Sequence, residues 1–128
     1  MHWHGVKQMG TPWSDGVPLV TQCPILPGQS FVYDFVLDSP GTLWWHSHTD
    51  LQKSSLYGAI VIHGDEGPVG NAPLQDKVLL VNDWYHSSSA SELEGLNQRL
   101  PNPFVWIGDP QSLLINGRGT FNCSATTL

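Results

Sequence analysis

Two short histidine motifs are the part of this sequence best suited to chemistry. His2-Trp3-His4 and His46-Ser47-His48 are both His-x-His triplets, and His46 follows His2 by 44 residues. On a β-strand, side chains at positions i and i+2 project from the same face. Two such strands lying side by side would therefore bring four imidazoles into one small volume.

The type and spacing of these residues predict a metal site. Cα atoms at i and i+2 on a strand lie roughly 6.5–7 Å apart, which suits two adjacent ions better than convergence on one. A nitrogen-only cluster suits copper, zinc, nickel or iron, whereas structural zinc sites usually include cysteine. A lone histidine is usually an ordinary surface or core residue, but four of the six histidines fall in these triplets. We therefore predict that the metal ligands are His2, His4, His46 and His48.

Composition and charge narrow the class of protein. Ten prolines in 128 residues disfavour long helices and suit a turn-rich β fold, and the length is sufficient for a sizeable core. The net charge of −6, with no basic run, argues against nucleic acid or an anionic membrane surface as a partner. No stretch approaches the roughly 18 apolar residues of a membrane span.

The elements that must position the histidines are predicted from hydrophobic periodicity. Alternating or apolar runs predict strands over residues 30–37, 42–48 and 56–63, the second of which carries His46 and His48. Residues 6–29 are rich in turn formers and predict a long ordered loop that contains Asp15.

The second half of the chain repeats this organisation more weakly. Residues 65–76 are rich in glycine, proline and acids and predict a linker. Strands are predicted over 78–84 and 113–116, and a short helix over 87–98 with Ser89 and Glu92 as a capping box. The predicted fold is all-β: the C-terminal part of a Greek-key β-sandwich over 1–64, a linker over 65–76, and the start of another over 77–128.

Several segments resemble one known family, the multicopper oxidases, and within it the plant ascorbate oxidases and laccases. The similarity covers nearly the whole chain and lies in residues 2–5 (HWHG), 10–16 (GTPWSDG), 21–25 (TQCPI) and 41–48 (GTLWWHSH). Residues 83–86 (DWYH), 106–111 (WIGDPQ) and 114–119 (LINGRG) favour ascorbate oxidase. The resemblance implies that both segments have the plastocyanin-like, or cupredoxin, fold.

The resemblance also implies roles for individual residues. His2 would ligate the type 2 copper of a trinuclear cluster, and His4, His46 and His48 would ligate the type 3 pair. Asp15 matches an acid that lies near the cluster and helps deliver protons to reduced oxygen. From the residues alone, Asp15 beside Gly16 is equally a turn aspartate.

The function implied is that of a copper-dependent oxidoreductase. Such an enzyme oxidises a small reductant, ascorbate or a phenol, and reduces O₂ to water. The family takes its type 1, blue-copper site and four further cluster histidines from a C-terminal domain, and no His-Cys-His run occurs here. We therefore expect a fragment that supplies half of the cluster, requires the remaining cupredoxin domains and is inactive alone. The alternatives are a non-catalytic copper-binding module and a copper-free structural relative.

Two cysteines and one sequon bear on localisation. By resemblance, Cys23 and Cys123 would each form a disulfide with a cysteine elsewhere in the parent protein. Asn122-Cys123-Ser124 is an N-glycosylation sequon. Together these features predict a secreted, apoplastic parent protein, although this chain opens directly on the histidine motif without a signal peptide.

Overall fold

A computed structural model describes residues 1–64, 77–97 and 109–122, and the predicted linker at 65–76 lies outside them. Within these residues the strands are β1 (His2–His4), β2 (Gly41–His46), β3 (Tyr57–Ile62), β4 (Val81–Trp84) and β5 (Ser112–Ile115). One α-helix, α1 (Ser89–Asn97), and two 3₁₀ turns, Pro12–Ser14 and Asp50–Ser54, accompany them. All strand pairs are antiparallel, so the all-β prediction is confirmed.

The strands form two separate sheets in two compact units. The first unit, Met1–Thr49 with Leu56–Val78, contains the sheet β1-β2-β3. The second unit, Asp50–Ser55 with Leu79–Leu128, contains the sheet β4-β5 and α1. None of the described helices is long and apolar enough to cross a membrane.

The predicted strand over residues 30–37 is absent, although the predicted alternation is correct. Tyr33 and Phe35 are half-buried and pack on the Trp3 ring at centroid distances of 5.1 and 5.3 Å. The Ser14 side chain, and not a neighbouring strand, forms the backbone hydrogen bonds of Asp34. The Ser14 hydroxyl donates to the carbonyl of Asp34 at 3.0 Å and accepts from its N–H at 3.4 Å. The backbone N–H and C=O groups of Asp34 are thus satisfied without a partner strand, and the segment joins neither sheet of the described residues.

The register of the first sheet sorts its side chains onto two faces. His2 pairs with His46, Trp3 with Trp45 and His4 with Trp44. Alternation therefore places the imidazoles on one face and Trp3 with Trp45 on the other. Trp45 lies opposite Gly58 of β3, where an added Cβ would lie 2.5 Å from the indole. The glycine makes room for the indole to lie flat on the strand.

No apolar side chain among the described residues is fully buried, so the expectation of a sizeable core is wrong for them. The buried side chains are instead polar, those of Ser14, His46, Ser47, Glu92 and Ser112. The physical reason is the small size of each sheet. Three strands and two strands leave most of each apolar face half-exposed.

The helix of the second unit begins with a serine cap. The Ser88 hydroxyl accepts from the N–H of Ser91 at 3.2 Å, so the cap lies one residue before the predicted Ser89. Glu92, predicted to close a capping box with Ser89, is buried and accepts from the Ser87 hydroxyl at 2.8 Å. The helix was thus predicted correctly and its cap was not.

Candidate metal centre

The ladder between β1 and β2 brings three of the predicted ligands together. His2, His4 and His46 each offer one ring nitrogen, and these atoms all lie within 4.8 Å of one another. His2 and His4 share a face because they are two residues apart on β1, and His46 lies directly opposite His2. Strand geometry alone therefore accounts for this group of three imidazoles.

One nitrogen pair has the separation of two ligands on a single ion. The Nδ1 atom of His4 lies 3.2 Å from the Nε2 atom of His46. With metal–nitrogen bonds of about 2.0–2.1 Å, two ligands of a tetrahedral ion stand about 3.3 Å apart. The two rings thus need little movement to bind one copper ion, which imidazole nitrogens suit.

The outer nitrogens of two histidines are held by backbone carbonyls. The Nδ1–H group of His2 donates to the carbonyl of Asp15 at 2.7 Å, and that of His46 donates to the carbonyl of Ser47 at 2.8 Å. Each hydrogen bond leaves Nε2 unprotonated as the ligand atom, and in this metal-free arrangement His46 Nε2 accepts from His4 Nδ1–H. Metal-binding histidines almost always have such a partner on the nitrogen away from the metal. The donor set therefore fits copper in two respects: the ligand atoms are imidazole nitrogens, and two of the rings are already oriented by hydrogen bonds.

His48 lies to one side of this group. The strand β2 ends at His46 rather than at the predicted residue 48, so His48 is beyond the ladder and exposed. Its ring centroid lies 5.2 Å from that of His2 and 5.9 Å from that of His46. The structure thus brings His48 beside the group of three without making it a member.

Asp15 lies against the outer side of His2. It follows the 3₁₀ turn Pro12–Ser14, and its carboxylate Oδ1 is 3.5 Å from His2 Nδ1. Its side chain is 27% exposed, so the carboxylate reaches both the histidine and solvent. Gly16 allows this approach because its φ is +82° and a Cβ there would overlap the Met1 carbonyl oxygen.

Burial controls the protonation of the central ligand. His46 is 4% exposed, and burial lowers its pKa below the ordinary histidine value. The imidazoles of His2, His4 and His48 lower that pKa further, while the hydrogen bond to the Ser47 carbonyl opposes them. A lowered pKa favours neutral imidazole, the form that binds a metal.

The remaining histidines are elsewhere, and one important neighbour was not predicted. His63 is exposed, and His86 belongs to the second unit. The residue missed is Trp44, whose ring stacks on that of His46 with a centroid distance of 4.2 Å and an interplanar angle of 29°. Its spacing of two residues from His46 was a signal that it shares the histidine face.

An all-imidazole donor group on the face of an antiparallel sheet is a candidate site for a transition metal such as copper or zinc. Sequence comparison is more specific. A family model described as multicopper oxidase matches residues 1–67, and a second with the same description matches residues 75–128. The chain belongs to the multicopper oxidase family, so copper is the metal implied, and the predicted resemblance is confirmed.

Individual relatives support this assignment. The chain is 47% identical over 128 residues to an L-ascorbate oxidase of Brassica rapa subsp. pekinensis, covering 97% of this chain and 22% of that protein. It is 40% identical over 135 residues to Laccase-1 of Cryptococcus neoformans var. grubii, covering 98% of this chain and 21% of the laccase. The chain thus spans only a small part of the length of either relative.

A solved structure shares the fold. The crystal structure of Blue Copper Oxidase from Nitrosomonas europaea matches with a TM-score of 0.58 and 29% identity, covering 91% of this chain and 36% of that one. The cupredoxin-like fold predicted from the sequence is therefore confirmed.

Proposed function

We propose that this chain supplies half of the trinuclear copper cluster of an ascorbate-oxidase-like or laccase-like enzyme. That enzyme would oxidise a small reductant, ascorbate or a phenol, and reduce O₂ to water. The observation that carries the proposal is the group of three imidazole nitrogens within 4.8 Å of one another. The names of the relatives, L-ascorbate oxidase and laccase, favour an oxidase over a non-catalytic copper module.

The four histidines would divide between two kinds of copper. We assign His2 to the type 2 ion, and His4, His46 and His48 to the type 3 pair. The 3.2 Å separation of His4 Nδ1 and His46 Nε2 supports their sharing one ion, and the lateral position of His48 supports its serving another. Copper, when bound, supplies the one-electron redox chemistry that O₂ reduction requires.

The residues of this chain would hold the ligands and supply protons. The carbonyls of Asp15 and Ser47 fix the tautomer and direction of the His2 and His46 rings. The partly exposed Asp15 carboxylate lies 3.5 Å from His2 Nδ1, so it contacts both solvent and a ligand of the proposed cluster. We propose that it relays protons to reduced oxygen.

Other parts of the active protein would lie in other domains. We propose cupredoxin segments over 1–64 and 77–128 joined by residues 65–76, in agreement with the family matches to 1–67 and 75–128. The type 1 site and the other cluster histidines would come from further cupredoxin domains. Asn122 of the sequon and Cys23 are both exposed, which supports a secreted, glycosylated parent protein.

Copper titration of the 128-residue chain tests the proposal. The wild type should bind copper, and His46→Ala combined with His48→Ala should weaken binding at least about 100-fold, because two ligands are lost. The matched control His86→Ala removes a histidine outside the group and should bind like the wild type. Equal copper affinity in the wild type and the double variant would refute the site. Ascorbate-dependent O₂ uptake by the chain should not exceed that of free copper.

A further inference from the structure

Trp44 lies against two of the histidines without being able to ligate a metal. Its ring is stacked on that of His46 at 4.2 Å and lies 5.1 Å from that of His4, with an interplanar angle of 35°. Both contacts follow from the ladder, because Trp44 is two residues from His46 on β2 and directly opposite His4 on β1. The side chain is 37% exposed, so it also covers the edge of the histidine group.

The three histidines of the group differ in what holds their rings. A backbone carbonyl accepts from the outer nitrogen of His2 and of His46. Among the described residues, His4 has no backbone partner of this kind: its Nδ1–H donates to His46 Nε2 at 3.2 Å, which is another candidate ligand. Its Nε2 atom has no hydrogen-bond partner within residues 1–64, 77–97 and 109–122, and its side chain is exposed. The rings that contact His4 are His2, His46 and Trp44. Trp44 is thus the only one of these neighbours that is not itself a candidate ligand.

An exposed imidazole without such a neighbour would be a poor ligand. The ring rotates about χ2 between broad, roughly two-fold wells, and one of them turns Nδ1 away from the other donors. A flat indole beside the ring hinders that rotation by contact. The indole itself forms no hydrogen bond with either imidazole nitrogen, so it does not compete with a metal for them. Ordering a ligand before the metal arrives reduces the entropy lost on binding.

We propose that Trp44 is a positioning residue for copper binding, and that its indole holds the His4 ring with Nδ1 directed at His46 Nε2. The inference rests on the proposed copper site. Trp44 takes for His4 the place that the Asp15 and Ser47 carbonyls take for His2 and His46. It touches the ligands and not the metal.

Matched substitutions on one strand test this role. Trp44→Leu removes the flat ring but keeps apolar bulk, and should weaken copper binding 10–100-fold, the usual cost of losing a residue that orients a ligand. Trp44→Phe keeps a ring and should stay within about threefold of the wild type. Trp45→Leu changes the neighbouring residue on the opposite face. It should lower the melting temperature while leaving copper affinity within about threefold, because it touches no ligand.

A double-mutant cycle separates positioning from general stability. In a His4→Ala background, Trp44→Leu should cause little further loss of copper affinity, whereas in a His2→Ala background its full effect should remain. The copper affinities come from competition with a chromophoric chelator, and the melting temperatures from circular dichroism. Wild-type affinity in Trp44→Leu, or an equal loss in both backgrounds, would overturn the proposal.

A measurement on the metal-free wild type does not depend on how the variants fold. The ring protons of His4 should show nuclear Overhauser contacts to the Trp44 indole and an upfield ring-current shift that disappears in urea. Absence of those contacts would overturn the inference. If the wild type binds copper no better than the His46→Ala, His48→Ala variant, the proposed site itself fails. If the wild type binds copper more tightly than that double variant, but Trp44→Leu binds copper as tightly as the wild type, only the role of Trp44 fails.

Discussion

The two units use histidine in opposite ways. In the second unit, His86 Nε2 lies 3.0 Å from the Ser112 hydroxyl, and its ring stacks on Phe121 with a centroid distance of 3.5 Å and an angle of 16°. Because that hydroxyl donates its hydrogen to the Thr120 carbonyl, it must accept from His86 Nε2–H. This histidine is therefore held by a structural hydrogen bond and a ring stack, and among the described residues it does not belong to the group of His2, His4 and His46.

The first unit instead gathers its histidines so that their ring nitrogens lie close to one another. His2 and His46 use Nδ1 for hydrogen bonds to carbonyls, and His46 Nε2 accepts from His4 Nδ1–H at 3.2 Å. The difference teaches that a candidate ligand histidine is recognised by the other imidazole nitrogens beside it, because a hydrogen bond on one ring nitrogen occurs in both units.

The largest effect that would break this comparison is damage to the sheet that sets the histidine positions. Gly58→Ala would put a Cβ 2.5 Å from the Trp45 indole. The overpacking should cost about 1–3 kcal/mol of unfolding free energy. Copper affinity should change little, as with Trp45→Leu, because the Trp45 indole lies on the sheet face opposite the histidines. Urea unfolding and copper titration measure the two effects.

A compensating variant identifies the cause of that loss. Adding Trp45→Phe to Gly58→Ala supplies a smaller ring opposite the new methyl group, and should restore part of the lost stability. If the double variant is less stable by the sum of the two single losses, crowding between these residues is not the reason.

The sequence predicted the histidine face because that face depends only on strand alternation. The His-x-His spacing placed His2 and His4 on one side of β1, and the apolar and aromatic run around Trp45 indicated a neighbouring strand. Trp44 could have been included by the same alternation. The sequence predicted that the two His-x-His pairs would meet, but not that His46 would lie opposite His2. That register depends on how two strands distant in sequence pair with each other.

Other features of the site could not be read from side-chain types. The partners of His2 and His46 are the backbone carbonyls of Asp15 and Ser47, which every residue possesses, so only the path of the chain selects them. The predicted strand over 30–37 failed for a related reason. A serine 20 residues away, Ser14, satisfies the backbone of Asp34, and no local pattern reveals such a contact.

A smaller effect is expected from His86, the histidine with a structural role in the second unit. His86→Ala removes the hydrogen bond to buried Ser112 and the stack on Phe121. The cost should be about 1–2 kcal/mol, since Ser112 keeps its bond to the Thr120 carbonyl. Copper affinity should not change. His86→Phe, which keeps an aromatic ring against Phe121, should recover part of the stability in thermal unfolding. A loss of copper binding in His86→Ala would contradict the division of roles between the two units.

The smallest effect concerns Asp15, where a carbonyl and a carboxylate both approach His2. His2 Nδ1 lies 2.7 Å from the backbone oxygen but 3.5 Å from the carboxylate Oδ1, and the carboxylate is partly exposed. A partly exposed contact of this length contributes about 0–1 kcal/mol. Asp15→Asn keeps the backbone carbonyl, so copper affinity should change by less than about threefold, equivalent to under 1 kcal/mol. His2→Ala, measured in the same competition titration, shows the full loss of that ligand. A tenfold or greater loss in Asp15→Asn would mean that the negative charge, and not the backbone, holds His2. The first unit would then use a side-chain partner much as the second unit uses Ser112 for His86.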